Sequence, residues 1–223
     1  MEIKITKNGP YIIDADIPVS EAVSVPSGGG VLDYKVEKEH DKTDSDKFIC
    51  RCGHTKNRPF CDGSHVKAGF DGTETDNRKL YDDEAEYLKG LHYDAMDNQK
   101  LCAVARFCDL GEGFWYAFDH MDEPVNKKYI EEVGCKCAAG RLALIDKSTG
   151  EKIEPKLEKE VYLIKDEPAD HFGPVYVKGG IQVIGADGFE YEIRNRVTLC
   201  RCGESGIKPF CDGTHLECEH MEI

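Results

Sequence analysis

The sequence predicts an α+β fold, rich in strands: two small β-rich units at the two ends of the chain that duplicate one pattern, with a small α/β unit between them. Three observations predict it. The stretch CRCGHTKNRPFCDGSH, from Cys50 to His65, returns as CRCGESGIKPFCDGTH, from Cys200 to His215, with ten of sixteen positions identical. The segments leading into each copy have the composition and turn punctuation of strands. The segment between the copies carries a helical period in NKKYIEEVGCKCAAG.

The duplication extends beyond the cysteine loops, since GPYIIDADIPV from Gly9 can be laid over GPVYVKGGIQV from Gly173. GGVLDYKVE in the first copy and DGFEYEIRN in the second read as a glycine-initiated turn followed by an alternating strand. Each copy then runs into its loop through FICRCG or TLCRCG. EKEHDKTDSDK, present in the first copy alone, reads as a solvated loop. SGGGVLDYK has neither the strand-turn-helix setting nor the lysine of a phosphate cradle and reads as a turn. The units divide at 1–72, 73–157 and 158–223. Each end unit is too small to bury a core alone, so the two are expected to pack on each other within one chain. In the middle unit, Ile130 and Val133 set against Lys128 and Glu131 make an amphipathic helix that ends near Gly140, and RLALID follows as a strand. Phe114, Trp115, Tyr116 and Phe118 are expected in its core.

With 223 residues, 40% of them hydrophobic, the chain can build real but modest cores. Its longest apolar runs, such as Val161 to Ile164, are strand-length, far short of the roughly 20 residues that span a bilayer. No export signal opens it, so a soluble cytoplasmic protein is expected. The net charge of -14 argues against a sequence-independent grip on nucleic acid or on anionic membrane, and neither is expected as a partner. Eleven cysteines, an odd number spaced with histidines, point to metal ligation in a reducing compartment rather than to disulfides.

Written as spacing, both loops are C-x-C-x8-C-x3-H. The C-x-C pair brings two thiolates to one metal from an extended turn, and the Pro-Phe return supplies a third. Asp-Gly then turns the chain so that the histidine comes round, one turn on if a helix starts with Asp62 or Asp212 as N-cap. Three thiolates and one imidazole suit a structural zinc tetrahedron, although zinc knuckles usually open on C-x2-4-C. They equally suit a 2Fe-2S cluster, with the C-x-C pair on one iron and the remaining cysteine and histidine on the other.

Both loops resemble the defining motif of the CDGSH iron-sulfur proteins, the NEET family. The resemblance implies two 2Fe-2S clusters, one held by Cys50, Cys52, Cys61 and His65, the other by Cys200, Cys202, Cys211 and His215. Single-motif members bring two sites together by dimerising. A chain with two motifs is expected to form that arrangement internally, as a monomeric pseudo-dimer. The function implied is electron transfer, or delivery of a cluster, with a redox or cluster-acceptor protein as partner, rather than catalysis. The alternative is a structural zinc-binding interaction module. Imidazole in place of thiolate leaves a cluster one negative charge lighter and easier to reduce, and it introduces a ligand that protons can displace. Arg51, Arg201, Arg58 and Lys208 either tune the clusters as nearby cations or are solvated surface charges. Lys56 and Arg58 in the first loop outweigh Lys208 and Glu204 in the second, so charge alone predicts the higher potential for the first site. His54 stands opposite Glu204 and is not expected to ligate.

In the middle unit, Cys102 and Cys108 form C-x5-C, and Cys135 and Cys137 follow in a distant CKCAAG. The pattern is similar to single-cluster ferredoxins with a 3Fe-4S or 4Fe-4S cluster, and several family members with two CDGSH motifs carry a comparable segment. It departs from that pattern where Ala138 replaces the proline after the last cysteine. Cys135 and Cys137 stand about 200 degrees apart on a helix, so both converge only if the helix ends there. The alternative is that Cys102 and Cys108 are buried small hydrophobes and Cys135 and Cys137 fill a helix end. Cys218 and His220 lack partners at useful spacing and are expected to be disordered or adventitious.

Overall fold

The computed structural model describes residues 1–28, 31–40 and 44–223. The glycine turn at Gly29 and Gly30, and part of the charged excursion, at residues 41–43, lie outside the described residues. The protein is strand-rich, with three sheets and few helices.

In the first repeat, β1 (Glu2–Ile5), β2 (Tyr11–Ile13) and β5 (Lys47–Ile49) form an antiparallel set in which Ile3 faces Ile13 and Tyr11 faces Ile49. In the second, β10 (Glu160–Asp166), β11 (His171–Lys178) and β13 (Arg196–Leu199) repeat the same registers: Val161 faces Val177 and Val175 faces Leu199. The strand that completes each set comes from the other repeat. β12 (Gln182–Ile184) runs parallel to β1, while β3 (Val19–Ser27) runs parallel to β10 and continues the second sheet into β4 (Val31–His40). The alternation seen in sequence explains why this works: Ile3, Tyr11, Ile13 and Ile49 from one sheet and Val161, Leu163, Val175, Val177 and Leu199 from the other turn inward into one buried core.

The middle segment builds the third sheet from β6 (Glu86–Leu88), β7 (Tyr93–Asp97), β8 (Leu142–Asp146) and β9 (Lys152–Ile153). Two helices cover it. Before them the chain makes two single turns, α1 (Ser64–Ala68) and α2 (Tyr81–Glu84). In α3 (Gly113–Asp119), Phe114, Ala117 and Phe118 are buried, but Trp115 and Tyr116 lie on the opposite face and are about 40% exposed. The aromatic run is therefore split by the helical period rather than wholly buried. The next helix, α4, spans Pro124–Gly134, six residues short of the expected stop at Gly140. Gly134 packs so tightly on Leu144 that a Cβ there would lie 2.7 Å from it, and beyond that contact the chain turns.

DGFEYEIRN is not a strand; it makes a single bridge, Ile184 to Glu190. Its polar groups bind the middle segment instead. Glu192 accepts the Tyr81 N–H at 2.8 Å, Arg194 donates to the carbonyls of Ala139 and Gly140, and Asn195 donates to Glu154 and Pro155. Residues 218–223 are ordered, contrary to expectation: Cys218 and Met221 are buried, and Glu222 bridges to His171.

Candidate metal centres

The two loops are wired alike, bond for bond. Cys50 N–H donates to Pro59 O at 2.9 Å and Cys200 N–H to Pro209 O at 2.7 Å; Cys61 N–H donates to Phe48 O and Cys211 N–H to Thr198 O. Thr55 and Ser205, which the alignment shows only as a mismatch, each donate a hydroxyl to the carbonyl of Phe60 or Phe210, at 2.6 and 2.7 Å. A shared hydroxyl at one place in both copies was the signal available in sequence. Both X-Pro bonds, Arg58-Pro59 and Lys208-Pro209, are cis.

Asp62 and Asp212 do not cap a helix from the N-cap position, which Gly63 and Gly213 occupy with left-handed backbones. Each carboxylate instead ties its loop across. Asp62 accepts from the N–H groups of Lys56 and Ser64, both at 2.9 Å, and Asp212 from those of Gly206 and Thr214. The Lys56 N–H, followed by Ser64, holds the Asp62 carboxyl well below the usual range.

The donors stand as two pairs in each loop. Cys50 and Cys52 Sγ are 3.6 Å apart, and Cys61 Sγ is 3.3 Å from His65 Nδ1. The second loop repeats this at 3.7 Å for Cys200 and Cys202 and 3.5 Å for Cys211 and His215 Nδ1. Among the described residues no group of three or more His, Cys, Asp or Glu is drawn around one ion position. The neighbouring Cys52 thiol, then backbone N–H groups, lower the Cys50 pKa, and the same holds for Cys200 beside Cys202, so each C-x-C pair favours one thiolate. In the second loop Gly203 N–H and Glu204 N–H point at Cys200 and Cys202 Sγ, at 3.3 and 3.4 Å. Soft thiolates, one imidazole and N–H groups aimed at sulfur fit an iron-sulfur centre.

The two sites differ in cover. Cys61 and His65 are half-buried, His65 within the exposed turn α1. Cys211 and His215 are 3% and 2% exposed. Their roof is the loop 103–106 of the middle segment. Ala103 packs on Cys211, a Cβ on Gly213 would lie 2.5 Å from Val104, and Arg106 pairs with Asp166 beside a void of about 10 Å³ that His215 helps line.

The arginines between the paired cysteines are buried rather than solvated: Arg51 is 2% and Arg201 4% exposed. His54 is stacked on His220 at 4.3 Å, and His220 Nε2 lies 3.0 Å from Cys202 O. Of the middle cysteines, Cys108 and Cys137 both pack against the core of the middle segment. Burial, then the charges of Cys137 and Cys102, push the Cys108 thiol up to about 11, and Cys137 packs with Ala103 and Ala139 towards Cys211. Cys135 is turned away, donating to Ile153 O at 3.6 Å.

The family model described as an iron-binding zinc finger of CDGSH type matches residues 8–66 and again 172–216. The chain is a CDGSH-type protein with two motifs. Each match ends one residue past the histidine of its loop; the first begins just before β2 and the second at the start of β11. The family is iron-binding. No curated protein and no solved structure matched the chain. No helix among the described residues is long and apolar enough to cross a membrane.

Proposed function

We propose that the protein holds two 2Fe-2S clusters, one in each CDGSH loop, and serves to carry electrons or to hand a cluster to an acceptor protein. The pairing of the donors carries this reading: two sulfurs for one iron, and a sulfur with an imidazole nitrogen for the other, in both loops. When bound, such a cluster supplies one-electron chemistry at a potential raised by the histidine. Metal and sulfide analysis with a visible spectrum tests it: about four iron and four sulfide per chain are expected for two clusters. Zinc with no visible colour would establish the structural zinc module instead.

The exchange of β3 and β12 supports a pseudo-dimer within one chain, because each CDGSH sheet borrows its completing strand from the other repeat. The repeats expressed separately, as 1–72 and 158–223, should dimerise or aggregate. Two stable, cluster-loaded monomers in gel filtration would refute the arrangement.

The packing of Cys108 and Cys137 on one core, with Cys102 near enough to act on Cys108, supports a third, ferredoxin-like centre of 3Fe-4S or 4Fe-4S type, with Cys135 outside its ligand set. Cys137→Ser should then lower iron and sulfide per chain, while Cys135→Ser leaves both unchanged. Equal contents in the two variants would make these cysteines packing residues.

A further inference from the structure

Three arginines lie at the contact between the two CDGSH loops, and among the described residues none of them makes an ion pair with a carboxylate, although Arg106, Arg141 and Arg196 elsewhere all do. A buried cation without a counter-charge is expensive, so each must be satisfied in another way. Arg51 is. Its guanidinium donates to the carbonyls of Gly9, Gly72 and Thr6 at 2.9, 3.0 and 2.9 Å and lies against the rings of Tyr11 and Phe70.

Arg201 occupies the same place in the second loop and is held differently. Its one described hydrogen bond goes to Ile164 O, at 3.3 Å. Its guanidinium lies 5.4 Å from the Phe172 ring, and Arg58, from the first loop, lies 4.6 Å from that same ring. Arg58 donates to Gly53 O and His220 O. Two guanidiniums therefore share one half-buried aromatic ring. Burial, followed by Arg58, pushes the Arg201 pKa down to about 10, which leaves it charged at neutral pH. The group that opposes this most is Cys50, not a cysteine of its own loop; Glu21 helps less and is engaged by His40 at 3.0 Å. The same two thiols of the first site, Cys50 and Cys52, act on Arg58.

The turn geometry explains the crossing. The two C-x-C-G turns stand back to back: a Cβ on Gly53 would lie 3.0 Å from Cys202 O, and one on Gly203 would lie 3.3 Å from Cys52 O. A side chain leaving the second turn at Arg201 thus comes close to the first site.

We propose that Arg201, although carried by the second loop, is with Arg58 the counter-charge of the first site, neutralising the anionic centre held by Cys50, Cys52, Cys61 and His65. It is a positioning residue, and its role rests on the iron-sulfur reading of these loops. One consequence is that the first site is electrostatically incomplete without the second loop, which gives a physical reason for both loops to reside in one chain. A second is that reduction of the first site, which adds negative charge, is favoured by a residue 136 or more positions away in sequence.

The test uses the full chain. The metal content of the unsubstituted protein is measured first, because zinc there would overturn the iron-sulfur reading itself. In the iron-loaded protein, Arg201→Gln should lower the midpoint potential of the first site in a redox titration followed by electron paramagnetic resonance. It should also speed loss of first-site iron to a chelator by about tenfold or more, the scale of one charge removed at protein dielectric. Arg201→Lys should restore both. Arg58→Gln should act in the same direction, and Lys208→Gln, at the matching place in the second loop, should leave the first site unchanged. The signals are assigned to sites in a Cys211→Ser background, where only the first site is loaded. An unshifted first-site potential in iron-loaded Arg201→Gln overturns the proposal, as does a shift confined to the second site or equal losses in the Gln and Lys variants.

Discussion

Serine in place of Cys61 should empty the first loop of iron and leave the second loaded. Cys61 pairs with His65 at 3.3 Å, and a serine oxygen is a hard donor that replaces a soft thiolate poorly. The iron of that pair would retain one good ligand in a half-exposed position, where water and chelators reach it. Iron and sulfide should each fall by about two per chain, and the visible absorption of the two-loop chromophore by about half. The fold should survive, because Cys61 belongs to none of the buried core clusters and its neighbours are held by backbone bonds such as Cys61 N–H to Phe48 O. The mirror substitution, Cys211→Ser, should empty the second loop and cost more stability, since that thiol is 3% exposed and packs on Ala103 and Ala139. Retention of full iron in Cys61→Ser would remove Cys61 from the ligand set.

Acidification should bleach the protein in two steps, the first loop before the second. Protonation of an imidazole competes with its bond to iron. His65 is half-buried within the exposed turn α1, but His215 is 2% exposed beneath residues 103–106. Burial pushes the His215 pKa down to about 4; of the groups facing it, Asp166 and Asp212 act against that shift, while His171 and Arg106 add to it. The sign follows from linkage. With a folded pKa below the unfolded value of about 6.5, the folded chain binds fewer protons than the unfolded one. The stability this group contributes is complete above that value and is lost as pH falls from there towards 4. Absorbance decay at pH 5.5 should therefore show a fast phase and a phase slower by roughly tenfold or more, the scale of one pKa unit. His65→Cys should abolish the fast phase. Arg106→Gln, which breaks the pair with Asp166 and removes a cation that opposes protonation of His215, should quicken the slow one. A single phase that neither substitution alters would show that cover does not govern cluster loss.

The donor pattern and the duplication were legible in the residues themselves because both are local. Four donors within sixteen positions, returning with the same spacing, dictate which side chains converge whatever the rest of the chain does. The strand readings of VLDYKVE and RLALID likewise match β4 and β8. Where local pattern met long-range competition it failed. DGFEYEIRN has the alternation of a strand, yet Arg194 and Asn195 gain more from carbonyls and a carboxylate of the middle segment than from a ladder. CKCAAG continues a helical period, but the Gly134–Leu144 contact ends α4 and sends Cys135 and Cys137 apart. Only the tertiary structure decided that the repeats exchange β3 and β12, that one loop is roofed and the other open, and that Arg51 and Arg201 are buried. Each of these depends on residues distant in sequence meeting across the core, and two loops alike in ligands become unlike sites through what packs on them.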